Sequence, residues 1–189
     1  MLIALPAAAQ QSSAEWDRCE GTGTGAAVPA EARIGYCTQL IESGRLSNED
    51  LGSTYTNRAN AYSDKGDHQR AMKDYDRALG LTPTDPVALN DRGDEYRILG
   101  QYDRALQDLN ESLRLRPNHA STLFHRAQAY AGKGRYDLTI RDYDQVIGLT
   151  PKDADAYYNR SLAKRKTGDV AGANADLARA KQLDPNVDK

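Results

Sequence analysis

The stretch Asn57-Arg58-Ala59-Asn60-Ala61-Tyr62, followed by Asp74-Tyr75-Asp76 and then Leu81-Thr82-Pro83, decides the fold, because its framework returns every 34 residues. Proline stands at 83, 117, 151 and 185, and glycine at 66, 100, 134 and 168. Arg58, Arg92, Arg126 and Arg160 keep the same beat, as do Asp74, Asp108, Asp142 and Asp176. Four independent columns at one period are the mark of a solenoid, in which each repeat is one supersecondary element that buries its apolar face on its neighbour. Such a chain presents a surface rather than enclosing a catalytic pocket.

The repeats are written here as 52–85, 86–119, 120–153 and 154–187. Each holds two segments with helical apolar spacing. In the second repeat, Leu89, Gly93 and Tyr96 step by four and three along one helix face, and Tyr102, Ala105, Leu106, Leu109, Ser112 and Leu113 make a stripe on the next. Gly100 between them suits the left-handed turn that reverses the chain. Pro117 ends the second helix, since proline cannot continue one. Asp85, Asn118 and Asp153 are the expected caps of the following helices. Small residues recur where helices must approach closely: Ala59, Gly93, Ala127 and Ser161; Ala71, Ala105, Thr139 and Ala173; Ala78, Ser112, Val146 and Ala180. Large ones face them, with Tyr62, Tyr96 and Tyr130 in one column and Tyr75, Leu109, Tyr143 and Leu177 in another.

This order of residues resembles the tetratricopeptide repeat over residues 52–187, about 70% of the chain. The resemblance implies an all-α, right-handed α-solenoid of four helix–turn–helix units. Arginine stands where that family commonly has leucine, three residues after Tyr55, Leu89, Leu123 and Tyr157. The fourth repeat departs further, with Lys164 in the tyrosine column and an alanine-rich second helix, as a terminal capping repeat does.

The segments ahead of the repeats read differently. Residues 1–9 are apolar and end in small residues, like the tail of a secretory signal peptide cleaved after Ala9, with its start upstream of Met1; the alternative is a disordered N-terminus. Residues 10–29 form an N-terminal segment, and residues 30–51 hold one capping helix, at about 30–43, like the second helix of an incomplete repeat, with its connection. The two cysteines, Cys19 and Cys37, both precede the repeats. They suit one bridge in an oxidising compartment, contributing ~3 kcal/mol, or else a pair of ordinary buried thiols. A periplasmic or secreted protein is expected on these grounds, with a cytoplasmic one as the alternative.

Several functions are excluded or disfavoured. A net charge of −2 with 28% charged residues offers no excess for nucleic acid or an anionic membrane. No apolar run is long enough to span a bilayer. Gly21-Thr22-Gly23-Thr24-Gly25 lacks the lysine of a phosphate loop and reads as a connector. His68, His119 and His125 match no zinc pattern, so neither metal nor cofactor is expected. The carboxylates decorate solvated faces, and no enzyme is expected. The arginine and aspartate columns are expected to pair within or between neighbouring repeats as a ladder of partly buried ion pairs, rather than to form a ligand site.

In tetratricopeptide arrays the first helix of each repeat lines a concave groove. Its inward positions fall here on Ser53, Thr56, Asn60 and Ser63; Val87, Asn90, Asp94 and Arg97; Ser121, Phe124, Gln128 and Ala131; and Asp155, Tyr158, Leu162 and Arg165. Asn60, Asn90, Asp94, Arg97, Phe124, Gln128, Tyr158, Leu162 and Arg165 are therefore the expected partner-binding residues. Amides bond a peptide backbone regardless of its sequence, and Phe124 and Tyr158 supply apolar anchors. The family's chaperone-binding carboxylate clamp would need its cations and amides at Thr56, Asn60, Asp91, Ser121 and His125; only Asn60 matches, so that function is not expected. The expected function is a non-enzymatic module that holds an extended peptide or partner helix in this groove. The alternative is a homo-oligomer assembled through the C-terminal repeat, around a helix at 171–183.

Overall fold

The computed structural model describes the backbone of residues 7–22 and 27–189, with side chains from residue 14 onward in those ranges. The described residues form ten helices and no strand: α1 (Ala7–Glu20), α2 (Ala30–Glu42), α3 (Asn48–Asp64), α4 (His68–Leu81), α5 (Pro86–Ile98), α6 (Tyr102–Leu115), α7 (Ala120–Gly132), α8 (Tyr136–Leu149), α9 (Ala154–Thr167) and α10 (Val170–Leu183). The chain divides into two compact units, residues 1–91 and 92–189. In the N-terminal unit α1 packs on α2, α2 on α3 and α3 on α4; in the C-terminal unit α6 packs on α7, α7 on α8, α8 on α9 and α9 on α10.

Local chemistry explains each reversal. Gly66, Gly100, Gly134 and Gly168 all take positive φ, between 71° and 88°, which a side chain would resist. Beyond each, a backbone N–H reaches back five residues: Asp67 to Tyr62, Gln101 to Tyr96, Arg135 to Tyr130 and Asp169 to Lys164. This is the helix-ending motif that satisfies otherwise orphaned carbonyls. Asp67, Asp153 and Asp169 cap α4, α9 and α10 through their carboxylates, and Asp85 accepts the Val87 N–H at the start of α5. Asn118 does not cap α7. It adopts φ 60°, and His119 is the capping residue, its Nδ1 2.8 Å from Thr122 Oγ1.

All twelve positions of the three small-residue columns are buried. Gly93 shows why size matters there: a Cβ at that position would lie 2.8 Å from Leu109 Cγ. The facing column is equally buried at Tyr75, Leu109 and Tyr143. Core contacts thus run from helix to neighbouring helix.

Two helices, not one, precede the repeats. The expected N-terminal segment is largely helical: α1 runs from Ala7 to Glu20 and is joined to α2 by a disulfide between Cys19 and Cys37, with Cα atoms 4.9 Å apart. Both cysteines are buried with Leu40, against Trp16, Tyr36 and Leu46, so α1 and α2 form a helix pair like those that follow. Large apolar residues at helical spacing are few in α1, so its sequence carries no helical periodicity. Of the expected leader remnant, residues 1–6 lie outside the described residues and 7–9 begin α1. Residues 23–25 of the glycine-rich connector also lie outside them.

Candidate binding clefts and the ladder beneath them

The arginine and aspartate columns pair within each repeat. Arg58 donates through Nε and Nη2 to both oxygens of Asp74 at 2.7 and 3.0 Å, and Arg92 does the same to Asp108 at 2.7 and 3.0 Å. Arg126 binds Asp142 at 2.8 and 2.8 Å, and Arg160 binds Asp176 at 2.8 and 2.6 Å. The remaining Nη1 reaches the preceding helix pair: Arg58 to Thr38, Arg126 to Asn110 and Arg160 to Asp144. One guanidinium therefore ties a helix to its own hairpin partner and to the helix before it. The Asp142 carboxylate raises the Arg126 guanidinium above its ordinary value against the opposing effect of burial. The tyrosine column adds a shelf: Arg126 and Arg135 lie 5.9 and 5.6 Å from the Tyr130 ring centroid, and Arg58 and Arg70 lie 5.9 and 4.4 Å from that of Tyr62. The arginine and tyrosine columns were visible in the sequence; their stacking follows from the four-residue spacing on one helix but was not read from it.

Each unit carries an open hollow on the side of its repeat-opening helices. In the N-terminal unit a hollow of about 560 Å³ is lined by Ser53, Thr56 and Val87 together with Glu20, Glu49 and Asp85. It is polar and acidic. In the C-terminal unit a smaller cleft of about 250 Å³ gathers Arg97, Gln128 and Leu162 with Tyr143, Asn159 and Lys166. Tyr143 is 1% exposed, whereas Leu162 is 44% exposed and Lys166 lies at the surface. The phenol thus forms the floor of the cleft, and the leucine and lysine form its rim. Burial pushes the Tyr143 hydroxyl well above its ordinary pKa, only partly offset by nearby Arg97, so it remains a proton donor.

Models of the TPR repeat match residues 93–134, and models of the tetratricopeptide repeat match 53–85 and 126–188, together well over half the sequence. The chain belongs to the tetratricopeptide-repeat family. No curated protein matches it. Among solved structures, MamA (41-end) from Desulfovibrio magneticus RS-1 is similar with a TM-score of 0.75 at 22% identity, covering 98% of this chain and 100% of that one. Another MamA crystal structure gives 0.70 at 16% identity, covering 97% and 98%. YrrB, described as a TPR protein with an unusual peptide-binding site, gives 0.66 at 21% identity, covering 83% and 79%. At these identities the likeness shows the fold alone. The tetratricopeptide fold is generally a non-enzymatic scaffold for protein interaction.

Within this tetratricopeptide-repeat protein the expected groove residues have different fates. Arg97, Gln128 and Leu162 meet at one cleft. Asn90 does not face an open groove: it is 5% exposed and its Nδ2 donates to Asp91 Oδ1 at 2.9 Å. Asn60 is committed at both ends, donating to Asp91 Oδ2 at 2.9 Å and accepting from the Tyr75 hydroxyl. Neither asparagine is therefore free to bind a peptide backbone. Asp94 accepts from Arg97 Nε at 2.6 Å, which ties down much of that arginine's charge. Phe124 is half-buried rather than wet, edge-on to Tyr143 at 5.3 Å between centroids, and belongs partly to the core. Tyr158 is half-buried, and Arg165 is exposed and donates to Asn174. Tyr143 and Lys166 were not among the expected site residues. Tyr143 belongs to the sequence's column of large core residues, although a buried tyrosine raises the question of where its hydroxyl goes.

Among the described residues no group of histidine, cysteine or carboxylate side chains could hold a metal ion, and no helix is long and apolar enough to cross a membrane.

Proposed function

We propose that this protein is a scaffold that holds an extended segment of a protein partner against the repeat-opening helices of its C-terminal unit. The observation that carries the reading is the cleft between α7, α8 and α9, where Gln128 and Leu162, from equivalent positions of successive repeats, converge over Tyr143 beside Arg97. A small cleft with a few convergent polar groups and an exposed leucine at its mouth suits a side chain of a bound peptide. The peptide-binding description of YrrB, a structural neighbour, agrees with this reading.

The test is selection of binders from a random peptide library displayed on phage against the immobilised protein. Selected peptides should lose binding to Leu162→Asp and to Gln128→Ala while still binding Lys73→Ala and Asp137→Ala, which alter other faces. Binders indifferent to the first two variants would overturn the groove reading.

A second reading, self-assembly, is favoured by one feature: the outer face of α10 exposes Val170, Ala171, Ala175 and Ala178. Sedimentation of the wild type and of Ala175→Lys across a wide concentration range tests it. An association lost in the variant would make α10 an interface between copies.

We assign the protein to an oxidising compartment, the periplasm or the exterior, because its two cysteines form a bridge that closes α1 onto α2. Unreduced protein from its native source should resist alkylation until a reductant is added. Labelling without reductant would point to the cytoplasm.

A further inference from the structure

We propose that the cleft in the C-terminal unit is a subsite for one glutamate side chain of the bound segment, a proposal that rests on the peptide-groove reading above. The other unit contains an internal version of such a complex. The Tyr75 hydroxyl donates to Asn60 Oδ1 within repeat 1, and Asn60 Nδ2 donates to the carboxylate of Asp91 in repeat 2. Shifted by two repeats, 68 residues, these three positions become Tyr143, Gln128 and Asn159. The tyrosine and the amide are retained, and the carboxylate is gone. In its place Asn159 turns its Nδ2 onto its own helix, donating to the Asp155 carbonyl at 2.8 Å. The result is an open cleft where the N-terminal unit has the Asp91 carboxylate.

The groups left behind are those a carboxylate would satisfy. Tyr143 is 1% exposed and lines the cleft, yet among the described residues its hydroxyl has no hydrogen-bond partner, and neither has the Gln128 amide. That hydroxyl opens onto the cleft rather than being sealed from solvent, so a ligand acceptor would take the place of water there. Arg97 and Lys166 stand beside it, and whereas Arg97 is paired with Asp94, Lys166 forms no ion pair among the described residues. Of the carboxylates within electrostatic reach of the hydroxyl, Asp142 is bound to Arg126 and Asp153 caps α9, while Asp155 is exposed. An incoming anion therefore meets donors at the floor and an uncompensated cation at the rim, and charge-assisted hydrogen bonds are the strong ones. Ala131 and Ala163 line the cleft with Leu162 at its mouth, and together they suit the methylenes of a glutamate.

Titration of ¹⁵N-labelled protein with three small probes, followed by two-dimensional NMR, tests the proposal. The probes are N-acetylglutamate α-amide, its neutral isostere N-acetylglutamine α-amide, and N-acetylalanine, whose carboxylate is that of a chain end. The glutamate probe should shift the Gln128 side-chain amide and the backbone signals around Leu162 and Lys166, and should bind roughly tenfold more tightly than the glutamine probe. Tyr143→Phe, which keeps the ring packing, should weaken the glutamate probe roughly tenfold; Lys166→Ala should weaken it and flatten its salt dependence. Equal binding of the glutamate and glutamine probes, indifference to Tyr143→Phe, or no shift up to the solubility limit would overturn the proposal. Tighter binding of N-acetylalanine would overturn it in favour of a chain-end carboxylate. If the probes fail while library peptides still depend on Gln128 and Leu162, the subsite falls and the groove stands. If library binders ignore both residues yet the glutamate probe binds, the groove reading falls instead.

Discussion

Repeats 1 and 3 share a fold, an ion-pair ladder and a buried tyrosine, yet they use the tyrosine in opposite ways. In repeat 1 the Tyr75 hydroxyl ends in a relay through Asn60 to Asp91, which also accepts from Asn90. Every polar group of that relay has a partner inside the chain. In repeat 3 the Tyr143 hydroxyl ends in open space beside Gln128. A closed network ties together the two repeats it spans, and an open one leaves its donors to solvent or to a ligand. Equivalent positions of one array thus need not do equivalent work, and the copy that opens onto a cleft is the one available for binding.

The largest effect expected is one the two repeats should share. Asp74 and Asp142 are each 3% exposed and each take two hydrogen bonds from an arginine. Removing either carboxylate strands a partly buried guanidinium, so Asp74→Ala and Asp142→Ala should each cost about 3 kcal/mol of stability in urea denaturation. If one costs far less than the other, the ladder is not the common scaffold on which the tyrosine comparison depends.

Much of this was readable in advance, for a physical reason. Proline, glycine, and the choice of a small side chain are local requirements, and local requirements repeat. The prolines, the left-handed glycines and the twelve buried small positions therefore appear as columns. The ion pairs were readable as partners but not as geometry, because sixteen residues separate Arg126 from Asp142 and only the hairpin brings them together. The fates of Asn60 and Asn90 were not readable. Their exposure is decided by Asp91, a residue outside the inward set whose two oxygens take both amides. Helix α1 was hidden because its opening alanines also suit a leader peptide. The open cleft was the most available of the missed features: placing Asn60 and Asp91 over Gln128 and Asn159 shows a carboxylate lost between copies.

The tyrosines themselves should give a smaller and unequal effect. Tyr75→Phe removes the donor to Asn60 Oδ1 and leaves that oxygen unsatisfied, for an expected loss of about 1–2 kcal/mol. Tyr143→Phe removes no hydrogen bond within the described residues, and its stability should stay within about 0.5 kcal/mol of wild type. Thermal or urea denaturation of the pair reads the difference directly. Equal losses would show that Tyr143 is satisfied in solution after all, and the contrast between the repeats would vanish.

The smallest effect concerns the terminal repeat, where Lys164 replaces the tyrosine found at 62 and 130. Its ammonium lies 2.9 Å from Asp176, adding a second cation to the ladder pair with Arg160. Burial alone would raise the Asp176 carboxyl, but the hydrogen bonds from Arg160 and Lys164 outweigh it and hold it below the ordinary carboxylate range. A carboxyl whose pKa is lower folded than unfolded contributes its full stabilisation above the unfolded value, about 3.9, where both states are ionised. As the pH falls through the lower folded value, the native state takes up the proton and the contribution is lost. Wild type should therefore lose stability more steeply than Asp176→Asn below about pH 4, while the two curves run parallel above it. Lys164→Tyr, which restores the residue of repeats 1 and 3, should reduce that steepness by removing one of the two cations. Identical acid slopes for all three proteins would mean that the added lysine does not hold the carboxylate, and that the terminal repeat differs from the interior ones only in its packing.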